Sequence, residues 1–172
     1  MTQSFLPLIR AAHGRIVNMG SVGSHLSLPF GGALCASKSA FRSLNDALRL
    51  ELHPFGIDVV MIEPGAIRTL AVEKTLGDPD AVVGALPSEG VARYGQLLRE
   101  FMRRGYERES HGSAPEVVAD KVYEALTATR PRPTYPAGKD ARLFVTIPRL
   151  LSDRLLDRLR LRLFGIPSVP SP

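Results

Sequence analysis

The chain has 172 residues, 44% of them hydrophobic and 23% charged, with a formal net charge of +5 and a pI near 9.8. That length and apolar content suit one sizeable core. The single cysteine, Cys35, excludes an internal disulfide framework and a multi-cysteine metal site. His13, His25, His53 and His111 have no ligand-type spacing, so no metal site is expected. No apolar run reaches the ~20 residues of a spanning helix. With no basic segment ahead of a long apolar stretch, a secretory signal is not expected and the cytoplasm is the expected location.

In chain order, Thr2 to Ala12 reads as the end of a helix with Phe5, Leu8 and Ile9 on one side. RIVNM (15–19) reads as a short buried strand, residues Leu34 to His53 as a helix, and IDVVMI (57–62) as a second buried strand, with Pro54 and Gly56 as stop signals. Strand, loop, long helix and apolar strand make a βαβ unit, so its strands are expected to be parallel and covered on both faces. Residues 69–110, divided by Gly77, Pro79, Gly84, Pro87 and Gly90, read as a mobile loop with short helices beside a ligand site.

Ser113-Ala-Pro-Glu116 reads as the N-cap and first turn of a helix running to about Thr129. PRPTYPAG (131–138) gives a Pro-flanked extended segment of edge-strand type. From Ile147 to Phe164 one amphipathic helix is expected, with Leu151, Leu155, Leu159 and Leu163 at spacing four and arginines between them. Residues 165–172 read as a disordered tail, and 1–164 as one incomplete domain.

The motifs lie on these elements in a telling order. GRIVNMGS puts Ser21 just beyond the first strand, GGALCASK puts Lys38 on the long helix, and EPGAIRT follows the second strand with Pro64, Gly65, Ile67 and Thr69. In order and spacing this resembles the short-chain dehydrogenase/reductase family from Thr2 to Thr69, and more loosely to about Gly138. The resemblance implies an α/β fold, part of a Rossmann-like doubly wound parallel sheet. It also implies a parent activity: NAD- or NADP-dependent oxidation of an alcohol, or reduction of the matching carbonyl. The apolar stretch from Leu70 to Leu98 suggests a lipophilic substrate.

By the same resemblance, Ser21 would hydrogen-bond the substrate oxygen and Lys38 would hold the nicotinamide ribose. Pro64, Gly65, Ile67 and Thr69 would line the carboxamide end of the cofactor. The family places a tyrosine four residues before the lysine, as the proton donor and acceptor that accompanies hydride transfer. A free phenol, with a pKa of ~10, is a poor base at neutral pH, and a lysine ammonium at i+4 on the same helix face lowers that value. Here the position is Leu34, which has no proton to give. Little or no turnover is therefore expected by the usual route.

The family's Gly-rich pyrophosphate turn would precede the matched segment, and no G-x-G-x-x-G pattern occurs in this chain. Met1 thus falls at an internal position of the family fold, with a truncated gene, a mis-assigned start and a split protein all left open. The chain is then expected to be marginal alone, pairing with copies of itself or with a complementing N-terminal half.

Bland readings compete with these assignments. Leu34 falls in phase with Phe41, Leu44, Leu48 and Leu52, which favours an ordinary buried stripe. Cys35 reads as a small packed residue. A serine-hydrolase reading of Ser21 lacks the G-x-S-x-G elbow. A non-enzymatic remnant could bind a partner through the 34–53 helix. The Leu/Arg segment at 147–164 reads first as a packed helix and second as a peripheral membrane contact. Nucleic acid is not expected, because no aromatic platform or recognition motif accompanies the arginines.

Overall fold

A computed structural model describes residues 2–167. Three strands form one parallel sheet in the order β1 (Arg15–Met19), β2 (Asp58–Pro64), β3 (Thr134–Ala137). The register pairs Arg15 with Asp58 through Met19 with Ile62, then Met61 with Thr134 through Pro64 with Ala137. The central strand is the most apolar, and Val59, Val60, Met61 and Ile62 are all essentially fully buried. Pro136 sits on the edge strand β3, where its missing N–H breaks no ladder.

Helix α1 (Thr2–Ala11) and helix α2 (Gly32–Leu52) cover one side of β1 and β2. Ile16, Leu52, Ile57 and Val59 form that core, with Leu6, Ile9 and Leu48 packed on it. Of the residues expected on one side of α1, Ile9 packs on this core while Phe5 and Leu8 are 54% and 66% exposed. The other core joins Val60, Ile62, Tyr135 and Ala137 to Ala125, with Val118 and Val122 against it. Those helical residues lie on α6 (Glu116–Thr127). Arg15 ties the layers together, donating to the carbonyls of Leu126 and Ala128 at 3.0 Å and pairing with Asp58. A guanidinium at a helix C-terminus is stabilised by the carbonyls left unpaired there.

Three expectations need correction. Residues 70–110 are mostly helical: α3 (Leu70–Leu76), α4 (Pro79–Gly84) and a long α5 (Ser88–Ser110). Gly90 falls in the first turn of α5, where it interrupts little. Gly95 is a contact point, since a Cβ there would stand 3.2 Å from Val83 of α4. Second, Ser113 does not cap α6; its hydroxyl accepts the Lys139 N–H at 3.0 Å, and the helix starts at Glu116.

Third, the segment expected as one helix from Ile147 to Phe164 is two, α7 (Ala141–Leu150) and α8 (Asp153–Leu163). Leu151 and Ser152 are extended between them, and the Ser152 carbonyl accepts the Leu155 and Leu156 N–H groups to begin α8. Of the expected tail, residues 168–172 lie outside the described residues.

Candidate active site

The loop leaving β1 and the first turns of α2 meet at the carboxyl end of the sheet. Ser21 is extended (φ −166°), and its hydroxyl accepts the Gly23 N–H at 3.1 Å, opening a short 3-10 turn over Val22–Ser24. That contact uses an oxygen lone pair and leaves the hydroxyl proton free to donate. Gly23 also locates Lys38. A Cβ at Gly23 would stand 3.4 Å from Ser21 Oγ and 4.0 Å from Lys38 Cγ, so the two side chains flank one point. Among the described residues the half-buried Lys38 has no salt-bridge partner.

Leu34 does not belong to a buried stripe. It is 58% exposed, and Phe41 and Leu44 on the same helix are 38% and 68% exposed. The inward residues of α2 are Cys35, Asn45 and Leu52. Cys35 is packed, as its size suggested. Leu34 instead stands open, one helical turn before Lys38.

The segment after β2 is pinned by its neighbours. Gly65 N–H donates to Ala137 O at 2.9 Å, Ala66 N–H to Asp140 at 3.2 Å, Ile67 N–H to Glu109 at 3.3 Å, and Arg68 N–H to Ser113 O at 3.0 Å. Asp140 is itself paired with Arg108, and a Cβ at Gly65 would overlap the Asp140 carboxylate, so this position requires glycine. Thr69 follows as the N-cap residue of α3 without a side-chain capping bond. Arg68 and Thr69 border an open cleft of about 840 Å³ whose wall continues through Leu70, Val72, Tyr106 and Pro115. Tyr106 donates to Glu73 at 2.8 Å across it.

Burial pushes the Glu109 carboxyl above the usual carboxylate range, against the pull of Arg108 and the Ile67 N–H; Asp140 adds to the rise. A carboxyl raised in the folded state opposes folding at pH values above its folded pKa, and the penalty vanishes where both states are protonated. Glu109→Gln keeps an acceptor for Ile67 and removes the charge. Its melting temperature is expected to exceed the parent's at neutral pH, with the difference closing as pH falls below the usual carboxylate range. A lower melting temperature at neutral pH would show that attraction to Arg108 outweighs the burial cost.

Beneath the loop lies a cluster that sequence reasoning missed. Glu63, fully buried at the end of β2, accepts from Ser24 at 3.2 Å, contacts His25 Nε2 at 2.9 Å and is ion-paired with Arg42. Arg42 lies one turn beyond Lys38 on α2, and Ser24 and His25 follow Ser21 in its loop. The cluster therefore joins all three segments that carry the candidate residues. Ser39 of α2, donating to the Ser24 carbonyl at 3.2 Å, adds a further tie. The one sequence signal was an acidic residue inside the apolar run IDVVMIEP.

Among the described residues neither the Lys38 ammonium nor the Ser21 and Thr69 hydroxyls donate to another protein group, whereas the N–H groups of Ala66, Ile67 and Arg68 are engaged within the protein. A parallel βαβ sheet with polar groups gathered at the carboxyl ends of its strands defines a Rossmann-like α/β protein. Within that class the chain is similar to the short-chain dehydrogenase/reductase family: the family model described as short chain dehydrogenase matches residues 1–79.

Curated relatives agree. The chain is 37% identical over 164 residues to mouse retinol dehydrogenase 16, covering 91% of this chain and 51% of that protein. It is 36% identical to human 17-beta-hydroxysteroid dehydrogenase type 1, covering 95% of this chain and 45% of that protein. It thus spans about half the length of the curated relatives it matches. Among solved structures, a short-chain dehydrogenase from Streptomyces avermitilis superposes with a TM-score of 0.62 at 26% identity, covering 95% of this chain and 54% of that one. A short chain dehydrogenase from Burkholderia cenocepacia, solved in complex with NADP, gives a TM-score of 0.61 at 22% identity, covering 94% of this chain and 52% of that one.

Proposed function

We propose that residues 1–164 form the C-terminal, substrate-side part of an NAD- or NADP-dependent oxidoreductase for a lipophilic alcohol or its carbonyl, and that this chain alone turns over weakly or not at all. The observation that carries the reading is the convergence of Ser21 and Lys38 on Gly23 with Leu34 exposed one turn away. When bound, the nicotinamide would supply or accept hydride. The protein's part is to orient and to handle the proton. Lys38 holds the ribose and Ser21 donates to the substrate oxygen, while Pro64, Gly65, Ile67 and Thr69 line the carboxamide end. The largely apolar wall of Leu70, Val72 and Pro115 suits a lipophilic substrate, in keeping with the retinol and hydroxysteroid dehydrogenases among its relatives.

With leucine at position 34 the substrate oxygen has no side-chain acid of the usual kind, and the Ser21 hydroxyl alone is a poor proton source at neutral pH. This is the basis for expecting weak turnover. Calorimetric titration with NADH and NADPH tests the site: binding to the parent chain that is lost in Lys38→Ala is expected. A folded chain that binds neither nucleotide, or binds equally without Lys38, would overturn the assignment.

A second reading rests on the outer face of α2. Phe41 and Leu44, together with Phe5 and Leu8 of α1, are exposed apolar side chains. They suit a partner-binding module in which a second copy, or a chain supplying the complementary half, covers α2.

A further inference from the structure

Helix α8 presents two adjoining ridges to solvent. Leu155, Leu159 and Leu163 recur every four residues and are 48%, 40% and 37% exposed. Arg154, Arg158 and Arg162 precede each leucine by one residue and are all exposed. At about 100° per residue the ridges lie side by side. The inward side is taken by Leu156 and by Phe164 just beyond the helix, 6% and 5% exposed.

The charges on the arginine ridge are unspent. Among the described residues none of these three arginines forms a salt bridge, and the helix's own paired arginine is Arg160, held by Asp157 at 3.2 Å. Helix α7 repeats the arrangement, with Leu143 and Leu150 56% and 76% exposed and each preceded by an arginine, Arg142 and Arg149. From Arg142 to Arg162 six arginines face two aspartates.

We propose that this face docks on an anionic lipid surface. A nucleic acid would neutralise the arginines and leave the leucine ridge in water. A packed protein neighbour would have to set a carboxylate against each of the three arginines as well as an apolar face against the leucines, since the described residues of this chain supply none to them. A headgroup boundary satisfies both: leucines enter the acyl edge, and each adjacent arginine runs its methylene stem upward to a lipid phosphate. Among the described residues no helix is long and apolar enough to cross a membrane, so the contact lies along the surface.

The test uses the full chain with vesicles of phosphatidylcholine alone or mixed with phosphatidylserine. Co-sedimentation with the anionic vesicles only, weakened by salt, is expected. At roughly a fivefold loss of affinity per arginine, replacing Arg154, Arg158 and Arg162 with Gln lowers vesicle affinity about a hundredfold. The chain contains no tryptophan, so Leu155→Trp adds a single reporter whose emission shifts to the blue when anionic vesicles are added. Circular dichroism confirms that both variants are folded. Failure to sediment with anionic vesicles, unchanged binding by the triple variant, or an unshifted reporter on bound protein would each overturn the proposal. Tighter binding to an RNA oligonucleotide than to the vesicles would also overturn it.

Discussion

Glu63→Gln is expected to destabilise the fold by about 3–5 kcal/mol, the cost of breaking a buried ion pair from one side. Glu63 is wholly inaccessible, and its carboxylate is the shared partner of Arg42, His25 and Ser24. An amide keeps the shape but removes the nearer counter-charge of the partly buried Arg42 guanidinium, leaving it Asp46 at 3.9 Å, and sets a neutral group in a fully buried site against His25 and Ser24. Losing both charges together is a smaller perturbation. Pairing Glu63→Met with Arg42→Met should therefore cost much less than the sum of the single changes, and denaturant melts of the four proteins give the coupling directly. If the single and double variants prove additive, the two side chains act independently and the cluster does not hold the site together.

The consequence for the site is geometric. Glu63 lies next to the last residue of the central strand, Arg42 one turn from Lys38, and Ser24 and His25 belong to the loop that carries Ser21. Loosening the cluster frees the Ser21 loop from α2, although none of its members lies among the residues that would touch a nicotinamide.

Much of this architecture was legible in the sequence for identifiable reasons. The almost continuous apolar run at 57–62, interrupted only by Asp58, reads as a strand buried on both faces, and the stops at Pro54 and Gly56 marked the end of the preceding helix. Ser21, Lys38 and the 64–69 segment were singled out by the family resemblance of their motifs, and the fold brings the first two side chains to either side of Gly23. What periodicity misjudged was which side of a helix is covered. Leu34, Phe41 and Leu44 are in phase with Leu52, but the sheet meets only the end of that stripe, and α2 turns the rest outward. The break at Ser152 was hidden because leucines at spacing four continue across it, and periodicity cannot register an N-cap within an unbroken pattern. The Glu63 cluster depends on contacts between distant segments, which no local pattern encodes.

Leu34→Tyr has the largest expected effect on activity. The position is 58% exposed, so a phenol fits without displacing core atoms, and it lies four residues before Lys38 on the same helix face. There the lysine ammonium would favour the phenolate and bring its pKa from ~10 toward the working range. A positioned acid or base contributes roughly 10²–10⁴-fold to proton-coupled steps.

The decisive measurement is the rate at which NADH or NADPH reduces a polyene or steroid carbonyl. It compares the parent, Leu34→Tyr and Leu34→Tyr with Lys38→Ala, each joined to a family N-terminal half that carries the Gly-rich turn. A gain of roughly 10²–10⁴-fold in Leu34→Tyr that disappears when Lys38 is removed is the result this account expects. A folded, nucleotide-binding Leu34→Tyr protein no faster than its parent would contradict it, since α2 would then lack more of the oxidoreductase site than a phenol.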